Sequence, residues 1–195
     1  MQKINKILIG THNLGKFREI SNLLPKKLIK ISPKNLNIKE PKETGKSFRE
    51  NSILKAKYFQ KKSGLPTISD DSGLEIKCLN NKPGIHSARW AKKQGSFDKA
   101  MQNILKKINH KNKFSSKKIN RQASFICSLT YICNKRIVRT VVGKINGYIS
   151  EQIKGKNGFG YDPIFIPLGQ QKTFGQMAKK KKMMTDHRYE AFRKL

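Results

Sequence analysis

Acidic residues are scarce in this chain: Asp and Glu number 12 against 43 Lys and Arg, which leaves a formal net charge of +31. A field of that size attracts polyanions, RNA and anionic lipid among them. Lysine is nevertheless spread from Lys3 to Lys194 rather than gathered into one arm, and it comes with abundant Ile and Asn and only eight Arg. Lys, Ile and Asn are the residues of A/T-rich codons, so much of the charge reads as compositional drift, and nucleic acid is expected only as a non-specific contact. A nucleoside triphosphate is a polyanion too, and the surplus suits an enzyme that acts on one.

Cysteine is also rare. Cys78, Cys127 and Cys133 form no C-x-x-C pair and have no partnered histidine spacing, which excludes a zinc site or a disulfide framework and suits a reducing compartment. The opening "MQKINKILIG" has too short an apolar run for a signal peptide, and no apolar stretch is long enough to span a bilayer, so a cytoplasmic protein is expected. What is present argues for a fold. With 36% hydrophobic residues in organised runs, ten Phe and five Tyr among them, 195 residues suffice for one domain, residues 1–195, that buries about two-thirds of its unfolded surface.

"KILIG" suits a buried strand and "FREISNLL" an amphipathic helix through Phe17, Ile20, Leu23 and Leu24. "SFRENSILKAKYFQKKSG" reads as a helix with Ser47 and Glu50 as a capping box, Gly64 as its stop, and Phe48, Ile53, Leu54, Ala56 and Tyr58 on its buried side. "TIS" and "LEIKCL" are strand-like pieces interrupted by "DDSG", and "FDKAMQNILKKI" is a second amphipathic helix. Residues 110–121 have the composition of a mobile basic loop. "ASFICSLTYIC" and "KRIVRTVVGKINGYI" read as long antiparallel strands with a turn at Asn134, "GKNGFGYDPIFIPLG" as a glycine-rich loop leading into a short strand, and the C-terminus as a helix. The order β-α-α-β-α-β-β-β-α predicts an α/β domain with a mixed sheet.

Four segments carry candidate chemistry. From Gly10 to Lys16 the chain spells G-x-x-x-x-G-K, but Phe17 stands where a phosphate loop of that type needs Ser or Thr. The loop still lies where a strand turns into a helix, so backbone N–H groups, the helix dipole, Asn13 and Lys16 can hold an anion; the bland alternative is a glycine turn with a surface lysine. In "SDDSG", two of the chain's five Asp are adjacent. Such a pair can hold Mg²⁺ and orient or deprotonate water, or it is an Asx-turn at a loop tip. In "NGFGYDPIF", glycines let an aromatic ring and the backbone approach a flat base, and Asp162 before Pro163 should be extended with its carboxylate in a site; a structural aromatic corner is the alternative. "DHR" offers a His-Arg pair for a purine edge or phosphate, or a solvated basic face.

Taken together, "THNLGKFREI", "ETGKSFRENSILKA", "SDDSGLEIKCLNNKPGIHSARWA", "GFGYDPIFIP" with "KTFGQM", and "DHRYEA" resemble, in order and over almost the whole chain, the inosine/xanthosine triphosphate pyrophosphatase family. The resemblance implies hydrolysis of dITP, ITP and XTP to the monophosphate and pyrophosphate, a Mg²⁺-dependent homodimer, and an elongated two-lobed α/β fold with a mixed sheet, flanking helices and a cleft between lobes. It implies that Thr11, His12, Asn13, Leu14, Gly15 and Lys16 hold the triphosphate, that Asp71 is general base and Mg²⁺ ligand, and that Ser72 touches substrate. Phe159, Gly160, Tyr161 and Asp162 would line the nucleoside pocket, with Lys182, His187 and Arg188 reading the 6-oxo purine. The alternative is a basic RNA-binding protein on a decayed scaffold of the same kind.

Three positions depart from the family pattern. Lys42 stands where a Mg²⁺-binding glutamate is usual, so either Glu43 takes over, or Asp70, Asp71 and phosphate oxygens hold the metal, or the lysine mimics part of its charge. Asp186 replaces a small Ser before the His-Arg pair, which places a negative charge near base or phosphate. Lys182 lies in a run of four lysines, so its role rests on register, with Lys181 as the fallback.

Overall fold

The computed structural model describes residues 4–116, 119–134 and 136–195. Its first unit begins with the apolar strand β1 (Lys6–Ile9), whose last three residues are buried, followed by α1 (Leu14–Leu23). The turn between them is tight. An added Cβ at Gly10 would lie 2.1 Å from Ser69 Oγ and 2.6 Å from the Phe59 ring, so Gly10 is needed for close packing at the end of the strand. The P-loop spacing is therefore accidental at its first member. Asn13 caps α1 by accepting a hydrogen bond from Lys16 N at 3.1 Å, and Ile20 and Leu24 bury against Ile7, Ile9 and Ile68 while Phe17 is half-buried on the same core.

A three-residue strand, β2 (Ile29–Ile31), pairs in parallel with β1 and was too short to stand out in the sequence. The next helix, α2 (Phe48–Ser63), has the expected ends: Ser47 Oγ accepts from Glu50 N at 3.1 Å, and Gly64 closes it at φ +71°. Its buried side differs from the apolar stripe expected. Ile53, Leu54 and Tyr58 are only half-buried, whereas Phe48, Asn51, Ser52, Lys55, Ala56, Phe59 and Gln60 are buried. Ser52 Oγ pairs with Ser128 Oγ and Thr130 Oγ1, each at 2.9 Å, so this helix faces polar strands and an acidic site rather than an oily core.

The "DDSG" segment is corrected from a loop to strand. A single strand, β3 (Thr67–Ile76), runs through it, parallel to β1 at its start and antiparallel to β4 (Lys82–Pro83) at its end. Acidic and small residues are poor strand formers. They are held here by partners from other elements, described below.

Beyond β4 come α3 (Ser87–Gln94), absent from the expected order, and α4 (Phe97–Lys113). Thus the first four residues of the expected 110–121 loop are helix; Lys117 and Lys118 lie outside the described residues. The strands β5 (Gln122–Cys133) and β6 (Arg136–Ile149) are long, as read, with Asn134 at φ 50° between them, and β7 (Phe165–Pro167) pairs antiparallel with β6. Among the described residues seven strands join one mixed sheet in the order β2-β1-β3-β5-β6-β7, with β4 alongside β3. The C-terminal helix is two pieces, α5 (Lys179–Met183) and α6 (His187–Phe192).

Contacts divide the chain into two units. The first comprises the chain up to Asp71, Cys127–Gly143 and His187–Leu195; the second comprises Ser72–Ile126 and Lys144–Asp186. The first is centred on Ile7, Ile9, Ile20, Ile68, Cys127 and Leu129, and the second on Leu74, Ile76, Met101, Ile104, Phe125, Phe165 and Phe174. In the first unit an added Cβ at Gly143 would fall 2.2 Å from the His187 carbonyl, so this glycine lets α6, which carries His187 and Arg188, lie against β6.

Candidate active site

Since β3 is a continuous strand, the side chains of Asp70 and Asp71 point to opposite faces of the sheet, and the pair does not act as one chelating unit. Each has its own partners in the first unit. Asp71 Oδ2 accepts from Asn51 Nδ2 at 3.0 Å, and its Oδ1 lies 3.9 Å from Lys55 Nζ. Asp70 Oδ2 lies 3.2 Å from Lys16 Nζ and 3.3 Å from Arg188 Nε, and Arg188 Nη1 is also 2.7 Å from Glu19 Oε2. Asp70 therefore braces two cations, whereas Asp71 faces Asn51 and Lys55.

Lys55 was not legible as a site residue. Its side chain is only 2% exposed, and its ammonium meets Glu43 Oε1 at 2.7 Å as well as Asp71, so Glu43 and Asp71 converge on one cation. Lys42, by contrast, is exposed. Burial alone would lower the Lys55 pKa, but the carboxylates of Asp71, Asp70 and Glu43 outweigh it and hold the ammonium above its ordinary value. Burial pushes the Asp71 carboxyl up; Lys55 and Lys16 pull it down, Glu43 adds to the rise and the Asn51 hydrogen bond opposes it, with a net shift above the usual carboxylate range.

The loop at α1 carries the residues expected to hold an anion. Thr11 is buried and its Oγ1 accepts from Asn13 N at 3.2 Å, so both Thr11 and the Asn13 carbonyl oxygen shape the loop and leave the Asn13 amide N–H groups as donors. Leu14 is 59% exposed at the helix start, Gly15 and Lys16 follow it, and half-buried His12 has its Nδ1 3.9 Å from Glu40 Oε2. His187 is buried beside Arg188, with 3.2 Å between its Nε2 and Arg188 Nη1. The pair opens α6 and is buried rather than forming a solvated basic face.

The second unit holds the remaining residues. Gly158 and Gly160 take φ of +75° and +66°, a region that favours glycine, and this turn brings Phe159 N to within 2.8 Å of Asp162 Oδ2. Asp162 begins a 3₁₀ turn instead of being extended, because its carboxylate folds back onto that N–H and onto Lys182 Nζ at 2.9 Å. Of the four lysines, Lys182 is the buried one while Lys179, Lys180 and Lys181 are exposed, so the register reading is preferred over Lys181. The Lys182 ammonium lies 5.1 Å from the half-buried Phe159 ring centroid and 5.7 Å from that of Phe174. Tyr161 is placed differently from Phe159: it is 2% exposed, packs edge-on to Phe97 at 5.2 Å, and donates its hydroxyl to the Ser87 carbonyl at 2.9 Å. Burial raises its pKa, in keeping with a core anchor. Ser72, half-buried, follows Asp71 on β3.

Among the described residues no group of three or more His, Cys, Asp or Glu is placed to hold a metal. Asp71 and Glu43 both approach the Lys55 ammonium and form a hard oxygen pair, the kind of donor set that Mg²⁺ takes together with substrate phosphates and water.

The Ham1 family model matches residues 7–195. A dITP/XTP pyrophosphatase of Zymomonas mobilis is 37% identical over 97% of this chain and 90% of its own length, and one of Dictyoglomus thermophilum is 40% identical over 97% and 91%. A solved HAM1 protein from Coxiella burnetii superposes with a TM-score of 0.84 at 33% identity, covering 97% of this chain and 95% of that one. With the family model matching residues 7–195 and a relative 37% identical over 97% of this sequence, the chain belongs to the Ham1 family.

Proposed function

We propose that this protein hydrolyses the deaminated purine nucleoside triphosphates dITP, ITP and XTP to the monophosphate and pyrophosphate, and so removes them from the nucleotide pool. The observation that carries the reading is one buried carboxylate, Asp71, oriented by Asn51 and Lys55. The Lys16 of the anion loop acts on that carboxylate electrostatically. Relatives named dITP/XTP pyrophosphatases support the same substrate class.

In this mechanism Asp71 orients a water and takes its proton as the oxygen attacks the α-phosphorus; its raised pKa makes it a better proton acceptor than an exposed carboxylate. The bond from the α-phosphorus to the bridging oxygen breaks and pyrophosphate leaves. Lys16, the N-terminus of α1 and the Asn13 amide neutralise and hold the polyphosphate. A Mg²⁺ held by Asp71 and Glu43 would supply further neutralisation of phosphate charge. Phe159 offers a ring face to the base and Lys182 a donor to the 6-oxo group, with His187 and Arg188 as further recognition groups. Donors set for a carbonyl oxygen would leave the 6-amino group of ATP unpaired, which costs about 1–3 kcal/mol per contact.

The resemblance also supports a homodimer, and a cytoplasmic setting agrees with the free cysteines and with the lack, among the described residues, of any helix long and apolar enough to cross a membrane. A decayed RNA-binding scaffold is disfavoured by the acids of the first unit, since Glu43, Asp70 and Asp71 each still face a lysine or arginine. Product identity tests the reaction. Purified protein with Mg²⁺ and ITP should yield IMP and pyrophosphate; IDP and orthophosphate would contradict attack at the α-phosphorus.

A further inference from the structure

The run ending at Lys182 and the departure at Asp186 form one buried charge cluster in the second unit. Lys182 is 3% exposed, and its ammonium lies 2.9 Å from Asp162 Oδ2 and 3.8 Å from Asp186 Oδ2, one helical turn on. Asp162 and Asp186 are themselves 2% and 1% exposed. Asp186 also directly precedes α6, where Ser, Thr, Asn and Asp are the favoured residues, so a serine or asparagine there would serve the helix equally well. What the aspartate adds over those residues is a buried negative charge, and it adds it to the lysine that also approaches the Phe159 ring.

We infer that Asp186 is a specificity-determining residue that biases this enzyme toward hypoxanthine nucleotides, ITP and dITP, and against XTP. The inference rests on the reading that Lys182 and Phe159 meet the purine. The two candidate bases differ in charge as well as in shape. Hypoxanthine is neutral near pH 7, whereas the xanthine ring of a nucleoside is a stronger acid and is largely ionised there. A single lysine matched by Asp162 alone can meet an anionic base; once Asp186 draws on the same ammonium, less positive potential is left for it. A neutral base loses little, because it needs only a hydrogen bond from the ammonium.

The test measures kcat/KM for ITP, dITP and XTP at a pH where xanthine is ionised, in wild type, Asp186→Asn and Asp186→Ser, with thermal melts to establish folding. Both variants keep a helix-capping side chain and remove the charge. The ratio of XTP to ITP activity should rise about fivefold in each, the size expected of one unit charge acting at several ångströms in a partly solvated site. The gain should lie mainly in KM for XTP. An unchanged ratio in variants that fold and hydrolyse ITP would overturn the role of Asp186 while leaving the site reading intact. An equal loss on all three substrates would also overturn it, because it would show that Asp186 only holds Lys182 in place. A wild type that hydrolyses none of them would defeat the underlying reading and this inference together.

Discussion

Asp71→Asn will lower pyrophosphate release from ITP by about 10³-fold, the middle of the range for losing a positioned general base, and will leave the protein folded. The amide has the shape of the carboxylate and can keep its contact with Asn51, so the geometry around Lys55 should survive. The folded-state pKa of Asp71 is above its ordinary value, chiefly through burial. Its ionised form is thus less favourable in the fold than in the unfolded chain. That penalty is fully present above the raised folded pKa and absent below the ordinary carboxylate value. A neutral asparagine escapes it but withdraws one counter-charge from Lys55, which keeps Glu43, so the two effects oppose and the variant should melt close to the wild-type temperature at neutral pH. Retained turnover in a folded variant would place the base elsewhere.

Lys55→Met should lower stability. Lys55 is a fully buried cation between Glu43 and Asp71, and its removal leaves two carboxylates facing each other without their shared counter-charge. Breaking a buried pair by deleting one partner typically costs about 3–5 kcal/mol, readable as a lowered urea midpoint at pH 7. The pH dependence has a definite sign. Because the carboxylates hold the Lys55 pKa above 10.5, its contribution is fully present below that value and is lost as pH rises through the higher folded value. The deficit of the variant should therefore be present across neutral pH, shrink in strong alkali, and shrink again in acid as Glu43 and Asp71 become protonated. Wild-type stability in Lys55→Met would show that the cluster is held by other forces.

These two residues also mark where sequence reading succeeds and where it stops. The ends of α2 were legible because capping is local: Ser47, Glu50 and Gly64 lie within one turn of what they terminate. Its buried face was not. Lys55 looks like any solvated lysine until Glu43 and Asp71 are brought to it from two other segments, and the one local hint is that Asn51, Lys55 and Phe59 recur every four residues on one side. The strand through Asp70 and Asp71 was hidden for the same reason. Its propensity is poor, and what offsets the cost of burying two carboxylates is Lys16 and Arg188 on one and Asn51 and Lys55 on the other. Asp70 is seen to pair with Lys16 and Arg188, which the sequence did not indicate. In the second unit the motif indicated Phe159, Tyr161 and Asp162 as a group, but only packing separates them: Tyr161 is committed to Phe97 and Ser87, and Asp162 to Lys182. Lys182 was chosen from its run by register, and it is the buried one of the four lysines.

The most direct test of the account is a competition assay with ITP and ATP at equal concentration and saturating Mg²⁺, following loss of each nucleotide and the identity of each phosphate product. One lost contact at the purine 6-position is worth roughly tenfold or more in kcat/KM. The account predicts that ITP is consumed at least about tenfold faster than ATP, with one pyrophosphate released per IMP formed. Equal consumption of the two nucleotides, or orthophosphate as the product, would contradict it.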